Sequence, residues 1–522
     1  MLILEIMLAL MAACIAFAVL AQRSHIPYAV VLVLGGMVLA FIPGVPRVRL
    51  DPELALAFFL PPLLQASAWR TDWHQFRFNI RAILLLAVGC VVFTALCVAV
   101  MMKLVLPELP WAAAIALGAV VAPPDAVAAA SVLARLPIPR RLVTVLEGES
   151  LVNDASSLVL FRLAVGALAV GSVSPWLAAL SFLGVALGGL AIGWVVARLA
   201  ILVLPRLSDT LLEVAVSFLM AYAAFLAAEA VHVSGVIAVV TVGIIVGRRQ
   251  HEVLSARTRV EALATWRFIE FVLTSLVFIL VGLQLNGILE RLSAYSLPFL
   301  IGTAVALSVT LIVSRIIWVF PATYIPRLIP AIARRDPPPP PSQVIVVAWA
   351  GMRGVVSLAV ALALPLDVPD RDLLIFLAFC AILATLVVQG TTLEWVIRRL
   401  RVQNPPRRGM HKDEAAARRV MAAAELSSLE AQLETETYGG IARDLIAEYR
   451  DRHRIWRTVS RGGPQAELRA RLQLRLAAVR AARAGLMDHH GTENLPEEML
   501  AALVSETDHE ELRLVQQLEQ TG

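Results

Sequence analysis

The chain has 522 residues, of which 59% are hydrophobic and only 16% charged, with a formal net charge of +5. A soluble protein of this size carries about 25% charged residues, so the shortfall points to a chain that meets lipid. The basic residues fall in short loops and towards the C-terminus, with no basic stripe interleaved with aromatics, which excludes nucleic-acid binding.

The first apolar stretch, residues 1–20, carries Glu5 and lacks both the basic leader and the cleavage site of a signal peptide, so it reads as a first transmembrane helix. A spanning helix takes about 20 mostly apolar residues. Thirteen segments meet that description: residues 2–20, 27–43, 53–69, 80–106, 110–134, 142–170, 176–203, 211–231, 233–247, 268–289, 297–325, 343–366 and 372–397. The expected fold is therefore an all-α membrane protein of about 13 transmembrane helices. The four cysteines, Cys14, Cys90, Cys97 and Cys380, all lie inside apolar runs without a CxxC pair and read as small packing residues. Nothing in the sequence calls for a cofactor.

Ionisable residues inside a bilayer are costly and tend to be functional. Four places break the apolar pattern, in chain order. In the fifth span, AVVAPPDAVAAA sets Pro123 and Pro124 in mid-helix, which removes two backbone donors and predicts an unwound break at Asp125. Asp125 is ten residues from Arg135, roughly 15 Å of helix, too deep to reach the surface.

In the sixth span, LEGESLVNDASSLVLF places Asp154 thirteen residues beyond Arg141, roughly 20 Å along the axis and near the midplane. Helical spacing puts Glu147, Ser150 and Asp154 on one face and Glu149 and Asn153 on the next. In the eleventh span Arg315 sits in an apolar run, and a buried guanidinium needs a partner; Glu149 is the candidate. In the twelfth span Gly351 and Gly354 flank Arg353, which predicts a second helix break at matching depth. Two interrupted spans in corresponding halves are the mark of an inverted-repeat secondary transporter. Asp125 and Arg353, an acid and a base, can offset the partial charges of the half-helix ends that meet there.

Cytoplasmic loops collect arginine. Alternate loops hold Arg23; Arg70, Arg77 and Arg81; Arg135, Arg140 and Arg141; Arg206; Arg248, Arg249, Arg257, Arg259 and Arg267; and Arg327, Arg334 and Arg335, sixteen in all. The opposite loops hold four: Arg47, Arg49, Arg291 and Arg371. This bias puts the N-terminus outside and the C-terminus in the cytoplasm. The proline run 337–341 reads as a short stiff connector. Beyond residue 400 the composition turns to Ala, Glu, Arg and Leu, so residues 1–400 are expected to form a transmembrane domain and 401–522 a cytoplasmic helical tail.

Six motifs make a resemblance specific: FFLPPLL at 58–64, APPDA at 122–126, EGESLVND at 147–154, FILVGLQL at 278–285, SRIIWVFP at 314–321 and GMRGVVSLA at 351–359. With them the chain, over residues 1–400, resembles the monovalent cation:proton antiporter family, on the branch of bacterial NhaP-type and animal sodium/proton exchangers. The resemblance implies an antiporter fold with two broken crossing helices, in a homodimer in the bacterial inner membrane. It implies that Asp154 carries sodium or a proton and that Asp125 and Ser150 are further ligands at the cation site. It also implies that Asn153 takes the place of a second aspartate found in the electrogenic branch, and that Glu149 and Arg315 form a structural ion pair. Two departures stand out. A threonine is usual where Pro124 precedes Asp125, and many relatives have a glutamate at the position of Ala66.

One titrating carboxylate predicts electroneutral exchange of one sodium ion for one proton, with potassium, or lithium, as the alternative cation. An intramembrane enzyme is disfavoured by the absence of HExxH and GxSxG patterns, and a receptor by the paired helix breaks. A channel suits the compensated Glu149–Arg315 pair less well than alternating access does.

Overall fold

In lipid an apolar run has to satisfy its own backbone groups, and only a helix does so within one segment. The protein, seen in a computed structural model, is described over residues 2–24, 26–42, 52–133, 136, 138–170, 175–207, 209–292, 295–402, 412–431, 439–460, 466–493 and 497–520. Arg47, Arg49 and Arg135 of the loop count lie outside the described residues. Helices α1 (Leu2–Ser24), α2 (Tyr28–Ala40) and α3 (Pro52–Arg70) come first, followed by α4 (Trp73–Leu84) and α5 (Val91–Val105). Next are α6 (Trp111–Val121), α7 (Ala126–Leu133), α8 (Arg140–Val170), α9 (Pro175–Val203), α10 (Thr210–Ala230), α11 (Gly235–Arg248) and the short α12 (Gln250–Val253). The long α13 (Ala256–Leu289) and α14 (Leu297–Tyr324) precede α15 (Pro330–Arg335), α16 (Pro341–Trp349), α17 (Val355–Leu362) and α18 (Arg371–Arg399).

Seven helices or helical runs among the described residues are long and apolar enough to cross a membrane, and four shorter helices are apolar. Several helices begin earlier than the apolar windows suggest. Arg77 and Arg81, counted as loop residues, lie on α4, whose start is fixed by Asp72 accepting the backbone N–H of His74 and Gln75. Likewise Arg257, Arg259 and Arg267 lie on α13, which Ser255 caps, and Arg140 and Arg141 begin α8. Charged first turns extend a helix past the lipid, so an apolar window finds the membrane-embedded part and misses the start.

Between α4 and α5 the helix widens into one π-turn, Leu85–Cys90. The Trp318 indole N–H donates to the Leu85 carbonyl at 2.8 Å, and the same indole fills the space where Gly89 lacks a Cβ. A side chain intruding on the helical ladder is a usual cause of such a bulge. At the predicted split, α10 ends at Ala230 and α11 starts at Gly235, with His232 in the left-handed region at φ 58°. Helices α2 and α13 pack backbone to backbone, since a Cβ on Gly36 or Gly282 would strike the facing chain.

The contacts divide the chain into units 1–403 and 404–522. The first holds two apolar cores. One runs through α2, α5, α6, α13, α14, α17 and α18; the other joins α3 to α9, α10 and α11, with Leu151 and Ala155 of α8 reaching into it. The second unit consists of α19 (Lys412–Glu430), α20 (Gly439–Ser460), α21 (Ala466–Glu493) and α22 (Glu497–Gln520) around Ala422, Trp456, Leu468 and Leu514. Its surface carries arginine–carboxylate pairs such as Arg471–Asp451 and Arg480–Glu511.

Candidate functional site

Helix α6 stops at Val121 because Pro123 and Pro124 lack N–H groups to continue it, and α7 restarts at Ala126. Helix α16 stops at Trp349, and residues 350–354 run unwound before α17. The two breaks are bonded to each other. The Asp125 backbone N–H donates to the Met352 carbonyl at 2.7 Å, and Arg353 Nε donates to the Val121 carbonyl at 2.9 Å. Arg353, 1% exposed, also donates to the Gly351 carbonyl, and its own N–H goes to Thr385 Oγ1 at 3.1 Å. Its guanidinium thus meets the negative end of α6, where the last carbonyls lack helical partners. A Cβ on Gly354 would overlap the Asp125 carboxylate, so the approach of the two breaks requires glycine there.

Helix α8 runs past this crossing with its polar residues sorted by face. Glu149 and Arg315, both 1% exposed, form a two-pronged pair, Nη1–Oε1 at 2.5 Å and Nη2–Oε2 at 2.8 Å. Arg315 also donates to the Val347 carbonyl on α16. Asn153 Nδ2 donates to the Pro124 carbonyl at 2.8 Å and Ser157 donates to the Ala119 carbonyl at 2.7 Å, so α8 holds both sides of the first break. Asn153 Oδ1 is buried with no partner among the described residues.

Asp154 is 8% exposed and opens on a cavity of about 70 Å³ that Asp125 and Ser150 also line. Among the described residues no lysine or arginine lines this cavity. It lies where the two apolar cores meet, with Leu64 of one and Phe278 of the other on its wall. A cavity of this size with several polar groups has room for water or a small cation.

Of the residues singled out in the sequence, Asp125, Asp154, Ser150, Pro123, Pro124 and Gly354 come together at the cavity. Glu149, Arg315, Asn153, Gly351 and Arg353 surround it through the bonds above; a Cβ on Gly351 would meet Arg315 Cδ at 2.5 Å. Glu147 does not join them. It lies within the electrostatic reach of Arg70 and Glu270, which pair with each other at 2.8 Å.

Three hydroxyls were not foreseen: Thr274 of α13, Ser357 of α17 and Ser67 of α3 line the same cavity. Thr274 Oγ1 is buried with no hydrogen-bond partner among the described residues. A hydroxyl inside a membrane helix normally bonds the carbonyl one turn back, as Thr303, Ser308 and Thr310 do. Only the fold separates Thr274 from that pattern. Among the described residues no His, Cys, Asp and Glu group has the arrangement of a bound-metal site.

Residues 6–399 match the family described as sodium/hydrogen exchanger, transmembrane. Among curated relatives, an uncharacterized Na(+)/H(+) exchanger of Mycobacterium tuberculosis is 34% identical over 93% of this chain and 90% of its own length. The Na(+)/H(+) antiporter ApNhaP of Aphanothece halophytica is 33% identical over 72% of this chain and 70% of its own. Among solved structures, the sodium proton antiporter MjNhaP1 of Methanocaldococcus jannaschii superposes with a TM-score of 0.59 at 17% identity, covering 77% of this chain and 99% of that one.

Proposed function

Because the chain belongs to the sodium/hydrogen exchanger family, as a multi-pass membrane transporter and not an enzyme, we propose that it exchanges sodium for protons at the cavity beside Asp154. The observation that carries this reading is the cavity itself. Two carboxylates, Asp154 and Asp125, line it, and among the described residues no basic side chain does. Holding a charged Asp154 away from water beside a second acid is costly. A proton on Asp154 or a sodium ion between the two relieves that cost, and the site cannot take both at full occupancy.

Sodium is a hard cation and takes oxygen ligands, as calcium and magnesium do. Asp154, Asp125 and Ser150 supply them. Thr274 stands in for the threonine that the first break lacks. Asn153 has a positioning part: its amide holds the Pro124 carbonyl and so the shape of the break. The Glu149–Arg315 pair is compensated and takes no part in the exchange. With one exchanging carboxylate the stoichiometry is one sodium for one proton. The arginine bias places the N-terminus outside and the C-terminal helical unit in the cytoplasm of a bacterial inner membrane. The working form is a homodimer.

The test is proton flux in proteoliposomes, with sodium, lithium and potassium added in turn and the membrane potential clamped at several values. Sodium-driven flux independent of potential is the expected result. A rate that follows the potential contradicts one-for-one exchange, and flux with potassium alone changes the cation.

A further inference from the structure

A second cluster of charge lies well away from the cavity, at the arginine-rich end of the helices. Arg81 of α4, Arg141 of α8 and Arg327, just past α14, all converge on one carboxylate, Asp336. Arg81 Nη2 lies 2.5 Å from Oδ2 and Arg327 Nη2 lies 2.6 Å from the same oxygen, while Arg141 Nη2 contacts Oδ1. Three guanidiniums against one carboxylate leave two positive charges in excess.

The donors are unevenly used. Arg327 gives Nε and Nη2 to Asp336 and Nη1 to the Thr323 carbonyl, which uses three of its five N–H groups and leaves one on each Nη. Arg141 gives Nε to Asn79 at 3.0 Å, and its Nη1 has no acceptor among the described residues. Arg81 gives only Nη2, so its Nε and Nη1 have none either. All three side chains line a cavity of about 60 Å³ whose other wall is apolar, with Leu85, Leu142 and Val344. Next in sequence to lining residues stand exposed apolar side chains: Ile325 and Leu328, on either side of Arg327, are 61% and 79% exposed, and Leu84, beside Leu85, is 45% exposed.

We propose that Arg81, Arg141 and Arg327 form a binding site for the phosphate of an anionic lipid headgroup, with an acyl chain against the apolar wall. Arginine forks match phosphate oxygens and are less costly to desolvate than lysine. Basic pockets between membrane helices are a known setting for anionic headgroups. A free phosphate shares the recognition chemistry, but the exposed apolar rim favours a lipid. Asp336 has the part of an organiser: it holds three like charges together without cancelling them. Along α8 the cluster is thirteen residues from Asp154, roughly 20 Å, so the site does not overlap the ion cavity.

The test uses the full-length protein in detergent, exchanged into phosphatidylglycerol or phosphatidylcholine. Lipid retained is counted by native mass spectrometry, and melting midpoints are recorded with each lipid and with millimolar inorganic phosphate. The expected result is selective retention of phosphatidylglycerol, a higher midpoint with that lipid, and little response to inorganic phosphate. Arg81→Gln, which leaves two arginines on Asp336, is expected to lower retention several-fold. Asp336→Asn, which adds to the excess charge, is expected to raise it. Equal retention of the two lipids, or Arg81→Gln retaining phosphatidylglycerol like the unaltered protein, overturns the proposal and leaves a purely structural clasp. Inorganic phosphate displacing the lipid and matching its stabilisation overturns the lipid as the source of the anion. Should Asp336→Asn fail to fold, Arg81→Gln decides alone.

Discussion

Glu149 and Asp154 stand five residues apart on α8, and their surroundings are opposite. Glu149 is closed in by the Arg315 fork, at 2.5 and 2.8 Å, with both side chains 1% exposed. Asp154 opens on a cavity shared with a second carboxylate, and among the described residues no lysine or arginine lines it. A carboxylate satisfied by a fixed arginine holds the bundle together. One that is left facing a cavity with another acid is ready to take a mobile cation. On the proposed reading the same residue chemistry on one helix does two jobs, and the neighbours from α14, the first helix break and α13 decide which.

The largest effect is expected on the closed side. Glu149→Gln leaves the Arg315 guanidinium buried without its charge partner, a change that typically costs ~3–5 kcal/mol. It should appear as a sharp fall in the melting midpoint and in the yield of folded protein. If Glu149→Gln melts like the unaltered protein, the pair is not what ties α8 to α14. On the open side, Gly354→Ala pushes a methyl group into the Asp125 carboxylate. The fold should survive, since only that side chain and its break must shift. Transport should fall on the order of tenfold to a hundredfold, as small misplacements of a reactive group do. Full transport in Gly354→Ala would remove Asp125 from the site.

A smaller effect sharpens the contrast. Thr274→Val keeps shape and loses only the unpartnered hydroxyl. The sodium KM should rise several-fold, about what one lost hydrogen-bond-strength contact is worth, with the maximal rate retained, and Thr274→Ser should restore it. An unchanged KM would make that hydroxyl a bystander.

How much of this was legible in the sequence follows from what charge and proline do in apolar runs. Asp125, Asp154, Arg315 and Arg353 stand out because a charge in lipid needs a reason, and Pro123–Pro124 announces a break because the ring has no N–H. Thr274 does not stand out, because threonine in a membrane helix is ordinary unless its bond to the preceding turn is missing, and that is settled by packing between α13 and its neighbours. The π-turn at Leu85–Cys90 was equally hidden, since its cause is Trp318, more than two hundred residues along the chain. The starts at Trp73 and Ala256 lie before the apolar windows because polar, arginine-bearing opening turns look like a loop when only hydropathy is counted, although Asp72 and Ser255 carry the capping signal. The Arg81, Arg141 and Arg327 cluster was visible only as loop charge. Its convergence on Asp336 depends on three elements meeting.

The central claim is that, of the two carboxylates on α8, Asp154 carries the ion and Glu149 carries only structure. The direct measurement is sodium-driven proton flux in proteoliposomes for two neutralised proteins, each first shown to be folded by its melting transition. One is Asp154→Asn; the other is Glu149→Gln combined with Arg315→Gln, which removes the pair without stranding a charge. No flux is expected from the first and measurable flux from the second. Flux that survives Asp154→Asn, or flux lost only when the pair is neutralised, contradicts the claim.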